Sequence, residues 1–96
     1  MKFSSSRNRE YIAADKIDEK FLIRKWRSGD RFYPIGMKGT KKLSDFLNEQ
    51  KINSFDKKNQ MVLTNNGKIV WVVGLRLDER FKVTNRTNRI IELCLK

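Results

Sequence analysis

The chain reads as a small α+β domain, a mixed and mainly antiparallel sheet carrying one principal helix at about residues 41–50. Three features predict this. Asn65-Asn66-Gly67 stands between two apolar runs, Met61 to Thr64 and Lys68 to Val73. Asn-Gly in that place is the strongest short hairpin signal, because a type I′ turn needs positive φ at both central residues. Leu43, Phe46 and Leu47 recur at i, i+3 and i+4, one apolar face of a helix ending near Gln50. Short β-type runs stand before and after these elements, giving two or more antiparallel pairs with the helix packed on a sheet.

Taken in order, residues 1–9 are polar and serine-rich and read as a flexible leader, and residues 10–96 as a single domain. Tyr11 to Ala14 forms a first strand and Phe21 to Arg27 a second. In the second, Phe21, Ile23 and Lys25 face one way and Leu22, Arg24 and Trp26 the other. Arg27-Ser28-Gly29-Asp30 is a turn in which Asp30 bonds back to nearby backbone or pairs with Arg27 or Arg31. A glycine-punctuated loop, Pro34 to Gly39, leads to Thr40, which is placed to cap the helix. Ser54 is placed to cap a shorter one over Phe55 to Asn59. Past the hairpin, Gly74 marks a bulge or bend. Asp78 caps a turn over Glu79 to Phe81. Phe81-Lys82-Val83 and Arg89 to Leu95 supply the last strands. No internal repeat is visible.

Composition narrows the function. At 96 residues the chain affords one modest core and no separate cofactor domain. Its 22 basic and 11 acidic residues leave a net charge of +11. Such self-repulsion is usually kept for a polyanionic partner, with nucleic acid ahead of an anionic membrane. There is no long apolar run, signal-peptide core or lipidation signal, so no membrane partner is assigned. The absence of histidine excludes His-based metal sites and triads. The single Cys94 lies in an apolar run and reads as a buried structural thiol. A reducing, cytoplasmic compartment fits.

The charge is concentrated. Arg24, Lys25, Arg27, Arg31, Lys38, Lys41 and Lys42 are interrupted by one acid, Asp30. Lysines and arginines on phosphates displace counterions, so RNA bound here would be salt-sensitive. Lys41 and Lys42 are expected at the helix start, where free N–H groups favour an anion. Gly36 and Gly39 keep side chains away from an approaching backbone, although their spacing also suits a tight connection. Trp26 and Tyr33 divide between base stacking and packing. Phe32 and Trp71 belong to the core. Arg27, Arg31, Lys41 and Lys42 are expected at the centre of an RNA backbone site, which Lys51, Lys57, Lys58, Arg76 and Arg80 extend. Asp78 and Glu79, flanked by Arg76 and Arg80, read as surface ion pairs rather than an acid–base pair. Arg86 and Arg89 read as a solvated strand edge. No catalytic residue and no metal ligand is assigned.

The blocks Gly29-Asp30-Arg31-Phe32-Tyr33-Pro34-Ile35-Gly36-Met37-Lys38-Gly39 and Lys41-Lys42-Leu43-Ser44-Asp45-Phe46-Leu47 carry a resemblance. Lys51-Ile52 and Ile69 to Arg80 follow in the same order. From about residue 15 onward the chain resembles the C-terminal domain of bacterial tRNA(Ile)-lysidine synthetase. That resemblance implies an α+β fold related to part of the phenylalanyl-tRNA synthetase β subunit. It implies a tRNA-gripping role within an ATP-dependent ligase that attaches lysine to C2 of the wobble cytidine of tRNA(Ile). ATP and Mg2+ would then belong to the parent catalytic domain, a second partner beside tRNA, with no cofactor on this chain. The Ser-Gly-Gly-type ATP loop of the parent is absent from this sequence. The chain is accordingly expected to be part of a larger enzyme, with Met1 an introduced start. It departs from the family at Asn53, Lys57-Lys58 and Met61, where proline, arginine with an acid or amide, and proline are usual. Lys57 keeps the charge there but not the bidentate fork of arginine.

A protein-interaction module, serving dimerisation or interdomain docking, is the alternative. The Ile69 to Val73 or Ile90 to Leu95 strand would offer the edge for it. A self-contained enzyme is disfavoured by the missing histidine and phosphate loop.

Overall fold

The computed structural model describes residues 9–15, 17–18 and 20–94. The expected leader falls outside them except for Arg9, which opens the first strand. The elements are β1 (Arg9–Ala13), β2 (Phe21–Lys25), β3 (Arg31–Phe32), β4 (Lys41–Lys42), α1 (Leu43–Glu49), α2 (Ser54–Lys58), β5 (Met61–Asn65), β6 (Lys68–Val72), β7 (Arg76–Leu77) and β8 (Ile90–Cys94). A four-stranded antiparallel sheet in the order β2-β5-β6-β7 is joined by two antiparallel ribbons, β1-β8 and β3-β4.

The central hairpin forms as its sequence demands. Asn66 and Gly67 turn it with φ of 52° and 84°, the left-handed pair a type I′ turn requires. The register then slips between Leu63 and Thr64, which face Trp71 and Ile69 respectively. Val70 is therefore an extra residue, and the bulge turns Val70 and Trp71 to the same side. Ile69 and Val72 join Phe32, Leu43, Phe46, Leu47 and Val62 in one core. Val70 and Trp71 join Ile12, Leu63, Leu77 and Phe81 in another. The sheet thus has a core on each face. The β3-β4 ribbon and α1 cover the first, and the β1-β8 ribbon covers the second.

The helical face Leu43, Phe46, Leu47 is buried as predicted. Phe32 meets Phe46 edge-on, centroids 5.2 Å apart at 79°, a geometry that adds about 0.5–1.5 kcal/mol to burial.

Several expectations are corrected. Lys41 and Lys42 do not begin the helix: they form β4, and Lys42 occupies the N-cap position with extended backbone and no side-chain cap. Thr40 instead accepts a hydrogen bond from Arg31. The short helix is capped by Asn53, not Ser54, with Asn53 Oδ1 accepting from the Asp56 N–H at 2.8 Å. Phe81 ends a 3₁₀ turn capped by Asp78, so Phe81 to Val83 is not a strand. Simple alternation fails on β2, where Leu22 and Ile23 are both exposed; β2 is the edge strand of its sheet. Cys94 is exposed, because Ile91 and Leu93 face inward and parity turns Cys94 out with Ile90 and Glu92. β6 lies between β5 and β7, which removes Ile69 to Val73 as a long open edge. Among the described residues β8 pairs only with β1.

Among the described residues, no helix is long and apolar enough to cross a membrane. Nor is any group of three or more Asp, Glu or Cys residues placed to hold a metal ion.

Candidate nucleic-acid interface

The basic residues divide into those held by partners and those left to solvent. Arg24 is held. Its guanidinium grips Asp30 through two bonds of 2.9 and 3.0 Å, and the Arg27 N–H donates to the same carboxylate at 2.8 Å. Asp30 therefore fixes its turn as expected, but its ion-pair partner is Arg24, not Arg27 or Arg31. Burial pushes the Asp30 carboxyl pKa up, and the Arg24 and Arg27 contacts outweigh it, leaving it below the ordinary value.

Arg80 is held more firmly. Asp78 is fully buried, which corrects the expected surface pair. Its Oδ1 accepts from the Arg80 N–H at 2.8 Å and Nε at 2.9 Å. Its Oδ2 accepts from Arg80 Nη2 at 3.0 Å and the Tyr33 N–H at 2.9 Å. The Arg80 guanidinium also lies 4.5 Å from the Tyr33 ring centroid, so Tyr33 packs against a cation within the chain. This knot ties the chain leaving β3 to the end of β7, where Pro34 bridges Asp78 and the Ile35 N–H donates to Leu77 at 3.0 Å. Glu79 pairs with Lys82 rather than Arg76.

Lys57 and Lys41 are engaged as well. Lys57 donates to Asn48 Oδ1 at 2.6 Å and lies 5.8 Å from the Trp26 ring centroid. The Trp26 indole N–H donates to the Lys57 carbonyl at 2.7 Å. Trp26 thus anchors α2. Lys41, its side chain 22% exposed, folds back to Glu49 at 2.8 Å. Arg76 lies 5.5 Å from the Phe46 ring centroid and reaches the Met37 sulfur.

Of the predicted site residues, Lys25, Arg27, Arg31, Lys38, Lys42, Lys51 and Lys58 remain exposed. Two of these are brought together by the fold. On the β3-β4 ribbon Arg31 stands directly opposite Lys42, and Phe32 opposite Lys41. Opposite residues share a face. Phe32 and the half-buried Lys41 turn inward, leaving Arg31 and Lys42 side by side in solvent. Like charges directly opposite are destabilising, and among the described residues neither forms an ion pair. One guanidinium N–H of Arg31 is spent on Thr40 Oγ1 at 3.2 Å, which orients the group and leaves four for another acceptor. The loop joining the two strands carries Lys38. Its Gly36 and Gly39 have φ of 85° and 76° with open space before them, so backbone conformation alone accounts for both glycines. A two-residue ladder is too short to show strand periodicity, and the Arg31–Lys42 pairing was invisible in sequence.

A family model described as "TilS substrate C-terminal domain" matches residues 21–93. The chain belongs to this TilS C-terminal domain family. It is 44% identical over 78 residues to a tRNA(Ile)-lysidine synthase of Bacteroides thetaiotaomicron, covering 81% of this chain and 18% of that protein. It is 42% identical over 81 residues to the synthase of Parabacteroides distasonis, covering 84% and 18%. The chain thus spans about a fifth of the length of these relatives. A crystal structure of a TilS C-terminal domain superposes with a TM-score of 0.74 at 24% identity, covering 94% of this chain and 72% of the other. An N-terminal fragment of the phenylalanyl-tRNA synthetase β subunit from Pyrococcus horikoshii superposes with a TM-score of 0.75 at 19% identity, covering 94% and 29%. Both likenesses concern the fold, the small α+β architecture that the resemblance implied.

Proposed function

We propose that this TilS C-terminal domain grips the sugar–phosphate backbone of tRNA, with Arg31 and Lys42 at the centre of the contact. In this reading it serves a tRNA(Ile)-lysidine synthase whose catalytic domain carries out the ATP-dependent attachment of lysine to the wobble cytidine. This chain positions the tRNA and performs no chemistry of its own. The observation that carries it is the cross-strand pairing of two exposed cations that form no ion pair among the described residues. A net charge of +11 supports it, as does the name borne by the relatives. Lys38 borders the pair, and Lys25, Arg27, Lys51 and Lys58 add charge at longer range. Arg24, Lys41, Lys57, Arg76 and Arg80 contribute field and scaffold more than direct phosphate contacts. Phosphate contacts position a nucleic acid without reading its sequence, and paired RNA is recognised by shape and backbone.

A salt series of tRNA binding tests this. The wild-type chain is expected to lose affinity linearly on log–log axes. Lys42→Ala should flatten the slope by about 0.7–0.9, the contribution of one phosphate contact. Lys41→Ala, whose charge is already met by Glu49, should flatten it less. Salt-independent binding, or a larger effect at Lys41 than at Lys42, would overturn the assignment.

A further inference from the structure

We infer that Phe55 is a stacking platform for an unpaired base of the bound RNA, a contact that rests on the tRNA-gripping reading above and adds a distinct element to it. At 72% exposure Phe55 is the most exposed large apolar side chain among those described. It does not sit on a mobile tip. Asn53 caps the helix that carries it, accepting from the Asp56 N–H at 2.8 Å and donating to the Asp56 carboxylate at 3.1 Å. Two residues on, Lys57 is fastened by Asn48, and its carbonyl by the Trp26 indole. The helix is thus pinned through Lys57 while Phe55 projects to water.

The surroundings select the ligand. Lys58, one turn along from Phe55, and Lys51, in the turn before α2, are both exposed and form no ion pair among the described residues. The one acid beside Phe55, Asp56, has its carboxylate engaged by Asn53. An exposed aromatic face on a pinned helix, with Lys58 one turn along, matches a nucleotide, the ring taking the base and the ammonium group a phosphate. An apolar protein surface would leave those lysines desolvated without counter-charge.

The test uses the intact chain with two probes, a single-stranded RNA oligomer and a blunt RNA duplex of equal length. Phe55→Ala should weaken single-strand binding about tenfold, the low-to-middle range for one stacked base. It should leave duplex binding and the salt slope of both probes unchanged. Phe55→Trp should restore the lost affinity and Phe55→Leu should not, since leucine offers hydrophobic area without a π face. Phe55 is exposed, so these variants should fold, and circular dichroism checks that. Unchanged single-strand affinity in Phe55→Ala, with salt-dependent binding intact, would overturn the stacking role and leave the backbone grip standing. Equal rescue by leucine would also overturn the stacking role, because apolar area without a π face would then suffice. Absence of salt-dependent RNA binding in the wild type would remove both readings.

Discussion

Replacing Arg31 and Lys42 together by alanine is expected to weaken tRNA binding by about 25–60-fold near 0.1 M salt and flatten the log–log slope by about 1.4–1.8. The reasoning is additive. Each phosphate contact releases close to one counterion, and the range spans single-stranded and duplex behaviour. Charge reversal at both positions should go further, because the ribbon would then repel the backbone it now attracts. The same substitutions should not lower thermal stability. Neither side chain forms an ion pair among the described residues, and removing two like charges from opposite positions relieves a repulsion. Lost affinity with unchanged or raised Tm is the signature of residues kept for a partner. Lost affinity accompanied by a collapse in Tm would mean that the pair serves the fold.

Asp78→Ala should have a large effect on stability. The carboxylate is fully buried and accepts from two backbone N–H groups and two guanidinium N–H groups. Its removal strands the Tyr33 N–H and deprives Arg80 of its counter-charge. Breaking a wholly buried pair from one side costs about 3–5 kcal/mol. The Arg80 side chain is 36% exposed and can turn partly to water, so about 2–4 kcal/mol is expected. For a domain of this size that lowers Tm by about 10 °C or more. Glu92→Ala, which breaks the exposed pair with Arg9, is the comparison and should shift Tm far less. Thermal unfolding of the two variants decides the matter. Equal and small shifts would show that the knot between β3 and β7 is not what holds the loop.

What the sequence made legible follows from the range of the forces involved. The hairpin was readable because Asn66 and Gly67 encode their own backbone conformation. Helix α1 was readable because Leu43, Phe46 and Leu47 repeat over a full turn. The Asp78 cap was readable because capping is local. Its burial was not, because the partner N–H of Tyr33 lies 45 residues away. The two-residue strands β3, β4 and β7 escaped, being shorter than any periodicity, and with them went the placement of Lys41 and Lys42. A bulge at Val70 leaves no mark in an unbroken apolar run. Cys94 was misplaced because a thiol in an apolar strand reads as core until the strand's parity is known. For the candidate site, the dense basic run from Arg24 to Lys42 is legible in the sequence itself. Which cations were already engaged depended on tertiary partners: Asp30 for Arg24, Glu49 for Lys41, Asn48 and Trp26 for Lys57, Asp78 for Arg80.

The most direct test is a titration of the isotopically labelled chain with tRNA, following backbone amides by NMR. The largest perturbations should fall on Arg31, Lys38 and Lys42 and the loop between them, fading as salt is raised. Perturbations confined to the β1-β8 ribbon, or none at concentrations where tRNA is bound, would contradict the account.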